Sequence, residues 1–222
     1  MDIRGLQKVS LIDYPGGICT TVFVGGCNLR CGYCHNKDLV LSPNTLPKID
    51  EDDIIAFLAA KRGKIDAVCI SGGEPTLMPD LKAFLDKIGS MGFRIKLDTN
   101  GTMPDVLKEL LPILDYVAMD IKAPLNKYKE IVGVDIDTNK ILTSVKLLKE
   151  SHIEHEFRTT LVPLLTIEDI KDIRAMIPGQ PYYLQQFRPI TTMDPGIGQM
   201  RPYRPEVVKR IAKEVGATVR GL

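Results

Sequence analysis

The sequence has no tryptophan, only three histidines and only five cysteines among its 222 residues. A chain of this length with so little cysteine needs no disulfide framework and suits a reducing compartment. Its net charge of +1 creates no global field that would favour nucleic acid or an anionic membrane as a partner. No apolar run is as long as a transmembrane helix, and the first residues lack the apolar stretch of a signal peptide. We therefore expect a cytoplasmic protein that binds neither nucleic acid nor membranes.

The composition otherwise supports an ordinary globular core. Hydrophobic residues make up 44% of the chain and charged residues 26%, which is typical of a globular domain. The chain contains no linker or low-complexity tract, so we expect residues 1–222 to form a single domain. Cys19 and Cys69 lie inside strand-like segments, and we expect both to be buried structural thiols.

Strand-like and helix-like segments alternate along the chain. The helical segments carry apolar residues three and four positions apart, as in segments 81–88, 141–148, 170–177 and 208–215. Four acidic residues at 50–53 indicate the start of a further helix. The strand candidates are 18–24, 67–70, 93–97, 116–119, 156–161 and 182–187. Six β–α units are too few for a full eight-unit barrel, so the sequence predicts an α/β fold with a partial (β/α)6 barrel.

Three of the five cysteines lie on one short segment, with the spacing Cys27-x3-Cys31-x2-Cys34 and with Tyr33 just before the third. Three thiolates can hold three corners of a cuboidal iron–sulfur cluster and leave the fourth iron open to a small molecule. Clusters with four cysteines usually only transfer electrons. A Cys3His zinc site that includes His35 is the alternative that these residues leave open.

A glycine-rich motif follows the second predicted strand, with Gly72, Gly73 and Glu74 as its first residues and a proline after them. Ligand sites in parallel α/β folds lie at the carboxyl ends of strands. The two glycines allow the backbone to approach a ligand without interference from Cβ atoms. By itself the motif is more often a plain turn, and its position at a strand end after the cysteine segment favours the ligand role.

Carboxylates follow the third and fourth predicted strands, where Asp98 precedes Thr99 and where Asp120 lies two residues before Lys122. In a barrel, adjacent strand ends bring such side chains close together. Two facing carboxylates must share a proton or a cation, and hard oxygen ligands suit a hard cation. A helix cap and a turn are the structural alternatives.

Arg158 lies in the fifth predicted strand, and an arginine can bind a carboxylate through two hydrogen bonds. A salt bridge inside the barrel is the alternative role. Gln185, Gln186 and Arg188 end the sixth strand, and the sequence assigns them no ligand. Residues 188–199, rich in proline and glycine, follow; we name them the rim segment. They are expected to be either a recognition loop at the barrel mouth or a surface connector.

The cysteine spacing is the signature of the radical S-adenosylmethionine enzymes, and the chain resembles that superfamily. The resemblance implies a [4Fe-4S] cluster on Cys27, Cys31 and Cys34, with S-adenosylmethionine on the fourth iron. Electron transfer then yields methionine and a 5′-deoxyadenosyl radical. The cofactor-binding residues that the resemblance implies are Tyr33, Gly72, Gly73, Glu74, Asp98, Asp120, Lys122 and Arg158. A monovalent cation would be held by Asp98, Thr99 and Asp120, as in activating enzymes of the pyruvate formate-lyase type.

Within the superfamily, segments 5–16 and 31–36 resemble the glycyl-radical-enzyme activating proteins, and most closely the anaerobic ribonucleoside-triphosphate reductase activating family. The resemblance implies an anaerobic enzyme that abstracts a glycine Cα hydrogen from a partner enzyme and receives electrons from a flavodoxin or ferredoxin. The alternative is a small-molecule enzyme that resembles 7-carboxy-7-deazaguanine synthase, although His35-Asn36 here replaces the Asp-Thr typical of that family. A zinc-binding module is the third alternative.

Overall fold

The computed structural model describes residues 1–222, and its eight strands follow one another in the sheet in chain order. The strands are β1 (Ile3–Ser10), β2 (Cys19–Val24), β3 (Ala67–Gly72), β4 (Arg94–Thr99), β5 (Tyr116–Asp120), β6 (Glu154–Leu161), β7 (Tyr182–Gln186) and β8 (Thr218–Arg220). The α-helices are α1 (Lys37–Leu41), α2 (Glu51–Ala59), α3 (Leu81–Ser90), α4 (Pro104–Leu110), α5 (Tyr128–Val132), α6 (Thr138–Glu150), α7 (Ile167–Met176), α8 (Pro195–Gly198) and α9 (Pro205–Val215). Short 3-10 turns occur at Pro43–Thr45, Pro75–Leu77, Leu111–Ile113 and Leu125–Lys127.

The predicted alternation of strands and helices is confirmed, and the six predicted strands correspond to β2 through β7. The expected number of strands is wrong, because β1 and β8 are present in addition. β1 lacks the apolar pattern that predicts a strand, because it begins the sheet and carries exposed polar residues such as Gln7 and Lys8. β8 has only three residues, which is too short for a periodic signal.

The chain forms two compact units. The first unit comprises Met1–Asn28, Asp38–Thr99 and Asp105–Val117, and the second comprises Leu29–Lys37, Asn100–Pro104 and Ala118–Leu222. β5 begins in the first unit and ends in the second. The expectation of a single domain stays a prediction.

The first unit is built on four of the strands. β1 pairs antiparallel with β2, β2 pairs parallel with β3, and β3 pairs parallel with β4. The predicted helical face of segment 81–88 is confirmed in α3, whose four apolar side chains of that face are at most 1% exposed. The acidic segment 50–53 also begins a helix as predicted, because Asp50 is the N-cap of α2 and three acids follow in its first turn.

The second unit contains the parallel strands β6, β7 and β8. The apolar residues that predicted α6, α7 and α9 are buried. α7 begins with a capping box between Thr166 and Asp169 and ends at Met176, so Ile177 lies just outside the helix although its side chain is fully buried. No helix in either unit combines the length and the apolar composition that crossing a lipid bilayer requires.

Candidate active site

The cysteine loop, residues 25–36, leaves β2 through two glycines and is divided between the two units. Cys27 belongs to the first unit, whereas Cys31 and Cys34 belong to the second. No disulfide links any of the five cysteines, and neither unit by itself gathers three His, Cys, Asp or Glu side chains into a metal-binding group. The assignment of these three thiols as cluster ligands therefore rests on their spacing along the chain and stays a prediction.

Backbone hydrogen bonds hold the second half of the cysteine loop inside the second unit. The Arg30 amide donates to the Val132 carbonyl at 2.8 Å, and the Cys34 amide donates to the Cys31 carbonyl at 2.9 Å. Gly133 ends α5 with a φ of 72°, and a Cβ atom there would lie 2.5 Å from the Arg30 oxygen. The segment that carries Cys31 and Cys34 is thus fixed by the chain that follows α5 and not by side chains alone.

The rim segment packs directly on the cysteine loop within the second unit. The Asp194 amide donates to the Gly32 carbonyl at 2.8 Å, and a Cβ atom at Gly32 would lie 2.6 Å from Ile197 Cδ1. The His35 ring stacks on Phe187, with ring centroids 6.4 Å apart, and its Nε2 lies 2.6 Å from the Arg188 carbonyl oxygen. A carbonyl only accepts, so this nitrogen carries the proton. A zinc site would therefore need the other ring nitrogen of His35.

Gly72, which ends β3, and Gly73, which follows it, lie against the backbone that leads into the cysteine loop. A Cβ atom at Gly73 would lie 1.8 Å from the Gly26 carbonyl oxygen, and one at Gly72, whose φ is 115°, would lie 2.5 Å from the Val24 amide nitrogen. The Glu74 amide donates to the same Gly26 oxygen at 2.8 Å. Their close approach is to protein backbone, and the expectation that these glycines also let the backbone approach a ligand stays a prediction. Binding of the cofactor by their remaining backbone groups stays a prediction.

The Glu74 side chain is almost fully buried and joins two strand ends of the first unit. Its Oε1 accepts hydrogen bonds from the Thr76 amide at 3.2 Å and from the Thr99 hydroxyl at 2.7 Å. It also accepts from the Thr76 hydroxyl. These contacts fix the start of the Pro75–Leu77 turn relative to the end of β4, so Glu74 positions Thr99. Direct binding of the cofactor by Glu74 stays a prediction.

Asp98, at the end of β4, is in an ion pair that the sequence patterns did not indicate. Lys96 Nζ donates to Asp98 Oδ1 at 2.6 Å, and the Ser71 hydroxyl donates to Asp98 Oδ2 at 3.1 Å. The Lys96 side chain is 4% exposed, and its ammonium also lies 3.7 Å from Cys69 Sγ. Cys69 is buried as expected and in addition contacts Lys96.

Asp120, at the end of β5, pairs with two cations of the second unit. Lys122 Nζ donates to Asp120 Oδ2 at 2.7 Å, and Arg158 Nε donates to Asp120 Oδ1 at 2.8 Å. Burial alone would raise the pKa of Asp120, but the charges of Arg158 and Lys122 outweigh burial and hold this pKa far below its ordinary value. Burial would likewise lower the pKa of Lys122, and the Asp120 carboxylate raises it well above the usual range instead.

Both carboxylates of the predicted cation site have cationic partners from the protein itself. Asp98 pairs with Lys96, and Asp120 pairs with Lys122 and Arg158. A monovalent cation on Asp98, Thr99 and Asp120 stays a prediction that competes with these lysines and this arginine for the same oxygens.

Tyr33 carries a buried hydroxyl without a hydrogen-bond partner. Its side chain is 6% exposed, and the hydroxyl is one of two buried side-chain polar atoms that lack a partner. Burial raises the pKa of Tyr33 well above its ordinary value, so the hydroxyl stays protonated. The neighbouring Tyr128 hydroxyl accepts from the Lys122 amide at 3.2 Å. A buried donor without a partner commonly marks the place of a ligand or water.

A second buried ion pair in the second unit was not predicted. Arg220 of β8 binds the carboxylate of the fully buried Glu156 with two guanidinium nitrogens, and its guanidinium lies 3.6 Å from the centroid of the Tyr183 ring. β8 was not predicted, so no signal in the sequence indicated this partner. Two of the polar residues that end the sixth predicted strand have structural contacts, although only Gln186 lies in β7 and Arg188 follows it. Gln186 Nε2 donates to the Tyr203 carbonyl at 3.1 Å, and Arg188 Nη2 donates to the Gly221 carbonyl at 3.0 Å.

These residues fit a cluster with a bound amino-acid cofactor. Three thiols lie on one loop, and thiolates are the usual ligands of iron–sulfur clusters. Two cations, Lys122 and Arg158, lie at the carboxylate of Asp120, and an ammonium and a guanidinium are groups that can bind a ligand carboxylate. The buried Tyr33 hydroxyl has a proton to donate.

Comparison with known proteins agrees with the resemblance read from the sequence. The family model of the Radical SAM superfamily matches residues 21–177. A Methanocaldococcus jannaschii protein with the provisional name glycyl-radical enzyme activating enzyme is 40% identical over 204 residues, which cover 86% of this chain and 82% of that protein. The 7-carboxy-7-deazaguanine synthase of Thermococcus kodakarensis is 24% identical over 191 residues, which cover 74% of this chain and 72% of the synthase.

Among solved structures, Streptococcus suis SuiB superposes with a TM-score of 0.70 at 16% identity, over 89% of this chain and 47% of SuiB. The chain thus spans less than half of SuiB, and at that identity the match shows the fold alone. The predicted partial barrel of the radical S-adenosylmethionine type is confirmed. From the matched family model and the 40% identical relative, the chain belongs to the radical S-adenosylmethionine superfamily and is an enzyme of its glycyl-radical-enzyme activating group.

Proposed function

We propose that this chain activates a glycyl radical enzyme by cleaving S-adenosylmethionine reductively and removing one hydrogen atom from a glycine Cα of that partner. The observation that carries the proposal is the 40% identity, over 86% of the chain, to a glycyl-radical enzyme activating enzyme. The resemblance of segments 5–16 and 31–36 favours anaerobic ribonucleoside-triphosphate reductase as the partner. A flavodoxin or ferredoxin is the proposed source of the electron.

The superfamily uses a [4Fe-4S] cluster and S-adenosylmethionine, and we place the cluster on Cys27, Cys31 and Cys34. Three thiolates leave one iron for the amino and carboxylate groups of the cofactor. Held by these three residues and reduced by the external donor, the cluster would supply one electron to the sulfonium of S-adenosylmethionine. The C5′–sulfur bond would then break into methionine and a 5′-carbon radical, and this radical would take the hydrogen atom of the glycine.

The second unit supplies the charges for the carboxylate of the cofactor. Asp120 holds Lys122 and Arg158 in place, so that two cations lie side by side in this unit. A guanidinium can bind a carboxylate through two parallel hydrogen bonds, which sets its orientation as well as its affinity. Tyr33, buried and protonated, is the proposed additional donor to the cofactor.

The proposed contribution of the first unit to cofactor binding is close backbone packing and not charged side chains. Gly72 and Gly73 bring the loop after β3 against Gly26, one residue before Cys27, and their remaining backbone groups are proposed to face the methionine part of the cofactor. Glu74 acts through Thr99, whose hydroxyl it orients. Displacement of this loop would therefore disturb the residue next to the first cysteine as well as the cofactor.

The rim segment is the proposed contact for the partner. It packs on Gly32 and His35, so it lies beside the second half of the cysteine loop. Its Ile190 side chain is 82% exposed. Hydrogen abstraction requires the 5′-carbon and the glycine C–H bond to be close and aligned. A partner loop that touches the rim segment would be held near Cys31 and Cys34.

The proposal is tested by following the hydrogen atom. Anaerobically reconstituted protein is mixed with S-adenosylmethionine, a reductant and a candidate partner whose glycines carry deuterium at Cα. We expect a glycyl radical doublet in the electron paramagnetic resonance spectrum and deuterium in 5′-deoxyadenosine. The control is the same partner with its target glycine replaced by alanine, which should give neither signal.

The same experiment separates the alternatives. Anaerobic ribonucleotide reductase and a second glycyl radical enzyme are compared in parallel, and the partner that gains the radical is the substrate. Transfer of hydrogen from a small molecule, with no protein radical, would instead support an activity like that of the related 7-carboxy-7-deazaguanine synthase. Tightly bound zinc and no iron in freshly purified protein would support the binding module.

A further inference from the structure

Lys96 is a buried lysine that has no role in the proposed reaction so far. It lies in β4 with its side chain 4% exposed, where an apolar residue would normally be found. Its ammonium lies 2.6 Å from Asp98 Oδ1. Taking a lysine out of water is costly unless its charge is paired, so the Lys96–Asp98 pair needs an explanation beyond packing.

Both oxygens of Asp98 are engaged inside the first unit. Lys96 binds Oδ1, and the Ser71 hydroxyl donates to Oδ2 at 3.1 Å. Lys96 is itself held by a second contact, to Cys69 Sγ at 3.7 Å. The carboxylate is therefore fixed in position and in orientation by groups of β3 and β4.

A carboxylate in a buried ligand site needs a positive charge close by, and a free alkali cation is one way to supply it. The ammonium of Lys96 supplies the same single charge from within the chain. It is a compact charge with three hydrogen-bond donors. Because Lys96 is covalently part of the chain, the site does not lose the entropy that binding a free ion would cost.

We propose that Lys96 is the built-in counter-ion of Asp98 and takes the place of a free monovalent cation, so that S-adenosylmethionine binds without an alkali cation. Lys96 is then a positioning residue that acts through Asp98. This inference rests on the proposed function, because it assumes that Asp98 lies in the cofactor site.

The test measures cofactor binding by calorimetry on the cluster-loaded protein, in potassium, sodium and tetramethylammonium salts at equal ionic strength. For the wild-type protein, the dissociation constants should agree within about two-fold, since the counter-charge is already present. A wild-type affinity that rises about ten-fold or more with potassium or sodium would overturn the proposal and restore the predicted cation site.

The variants Lys96→Met and Lys96→Gln remove the ammonium. In tetramethylammonium salt their affinity should fall about ten- to a hundred-fold, which is the usual range for loss of a hydrogen bond to a charged group. Potassium, sodium or ammonium ions should restore a large part of that loss, which a merely structural role of Lys96 would not produce. An affinity loss that no cation reverses would contradict the proposal. The matched control is Lys82→Met, which breaks an exposed pair with Asp86 and should change neither affinity nor cation response.

The wild-type measurement decides the question even if both Lys96 variants fail to fold. A wild-type protein that holds its cluster but binds no S-adenosylmethionine under any condition would overturn the proposed function and this inference with it. A wild-type protein that binds the cofactor only with an alkali cation would overturn the inference alone.

Discussion

Asp98 in the first unit and Asp120 in the second each lie at the end of a strand, but their charged neighbours differ. Lys96, which pairs with Asp98, comes from the same strand, β4. The cations that pair with Asp120 come from outside its strand, since Lys122 follows β5 and Arg158 lies in β6. An ion pair within one strand fixes the position of a carboxylate, whereas cations gathered from two elements can also bind an anionic ligand. The difference teaches that the origin of the cationic partners, and not the carboxylate, distinguishes the two strand ends.

The largest effect is expected from the cysteine loop, which carries the proposed cluster ligands. Cys27→Ala, Cys31→Ala or Cys34→Ala should each reduce cleavage of S-adenosylmethionine to background, because each removes one of the three proposed cluster ligands. Iron content and 5′-deoxyadenosine are the measurements. Cys19→Ala, which alters a buried thiol of β2, is the control and should keep both. Full cleavage in any one of the three variants would remove that cysteine from the ligand set.

The next effect concerns the first unit as a shape-determining region. Gly73→Val should lower both stability and iron content, because its Cβ would lie 1.8 Å from the Gly26 oxygen, next to Cys27. We expect a loss of about 1–3 kcal/mol in the free energy of unfolding, as for overpacked sites. Denaturant unfolding and iron analysis measure the two effects.

Gly89→Ala is the matched control, since it lies in α3 and its Cβ would make only ordinary contact, at 3.5 Å, with Ile95. It should be neutral or slightly stabilising, by up to about 1 kcal/mol. Normal iron content in Gly73→Val combined with weak cofactor binding would show instead that the space at Gly73 belongs to the cofactor.

A smaller effect tests the cations of the second unit. Arg158→Met removes one of the two cations that pair with Asp120 and should raise the dissociation constant of S-adenosylmethionine about ten-fold, because the variant lacks the guanidinium proposed to bind the cofactor. Calorimetry on the cluster-loaded protein measures this constant. Arg62→Met, on the exposed surface of the first unit, should leave the constant unchanged. Equal affinities in wild type and Arg158→Met would mean that Arg158 binds no ligand, and the comparison of the two strand ends would fail.

The smallest effect is on the pH dependence of stability. The pKa of Asp120 is lowered in the folded state, so its contribution is fully present above the unfolded value of about 4 and is lost as the pH falls through the folded pKa. Stability should therefore drop between about pH 5 and pH 2, and the drop should be smaller in Arg158→Met because the pKa of Asp120 is then closer to its unfolded value. Thermal unfolding at a series of pH values measures this. A drop of the same size in both proteins would assign the acid sensitivity to other carboxylates.

Periodicity predicted the regular part of the fold because each buried element has a repeating apolar face. α3 and the strands β2 through β7 are of this kind. β1 and β8 lack such a face, since one begins the sheet with exposed polar residues and the other has three residues. Because β8 was not predicted, its residue Arg220 could not be recognised as the partner of Glu156.

The sequence by itself determined the superfamily and hence the cofactors of this protein, because the spacing of three cysteines on one loop is a local pattern that does not depend on the surrounding fold. Only the tertiary structure decided which charges meet. Lys96 and Asp98 project from the same side of one strand, a spacing that also fits two solvent-exposed residues, and burial of that side makes them an ion pair. Asp120 and Arg158 are separated by 38 residues, and no local pattern indicates a contact across that distance. The requirement for glycine at position 73 likewise appears only in the tertiary structure. A Cβ atom there would collide with the Gly26 carbonyl oxygen of the neighbouring loop.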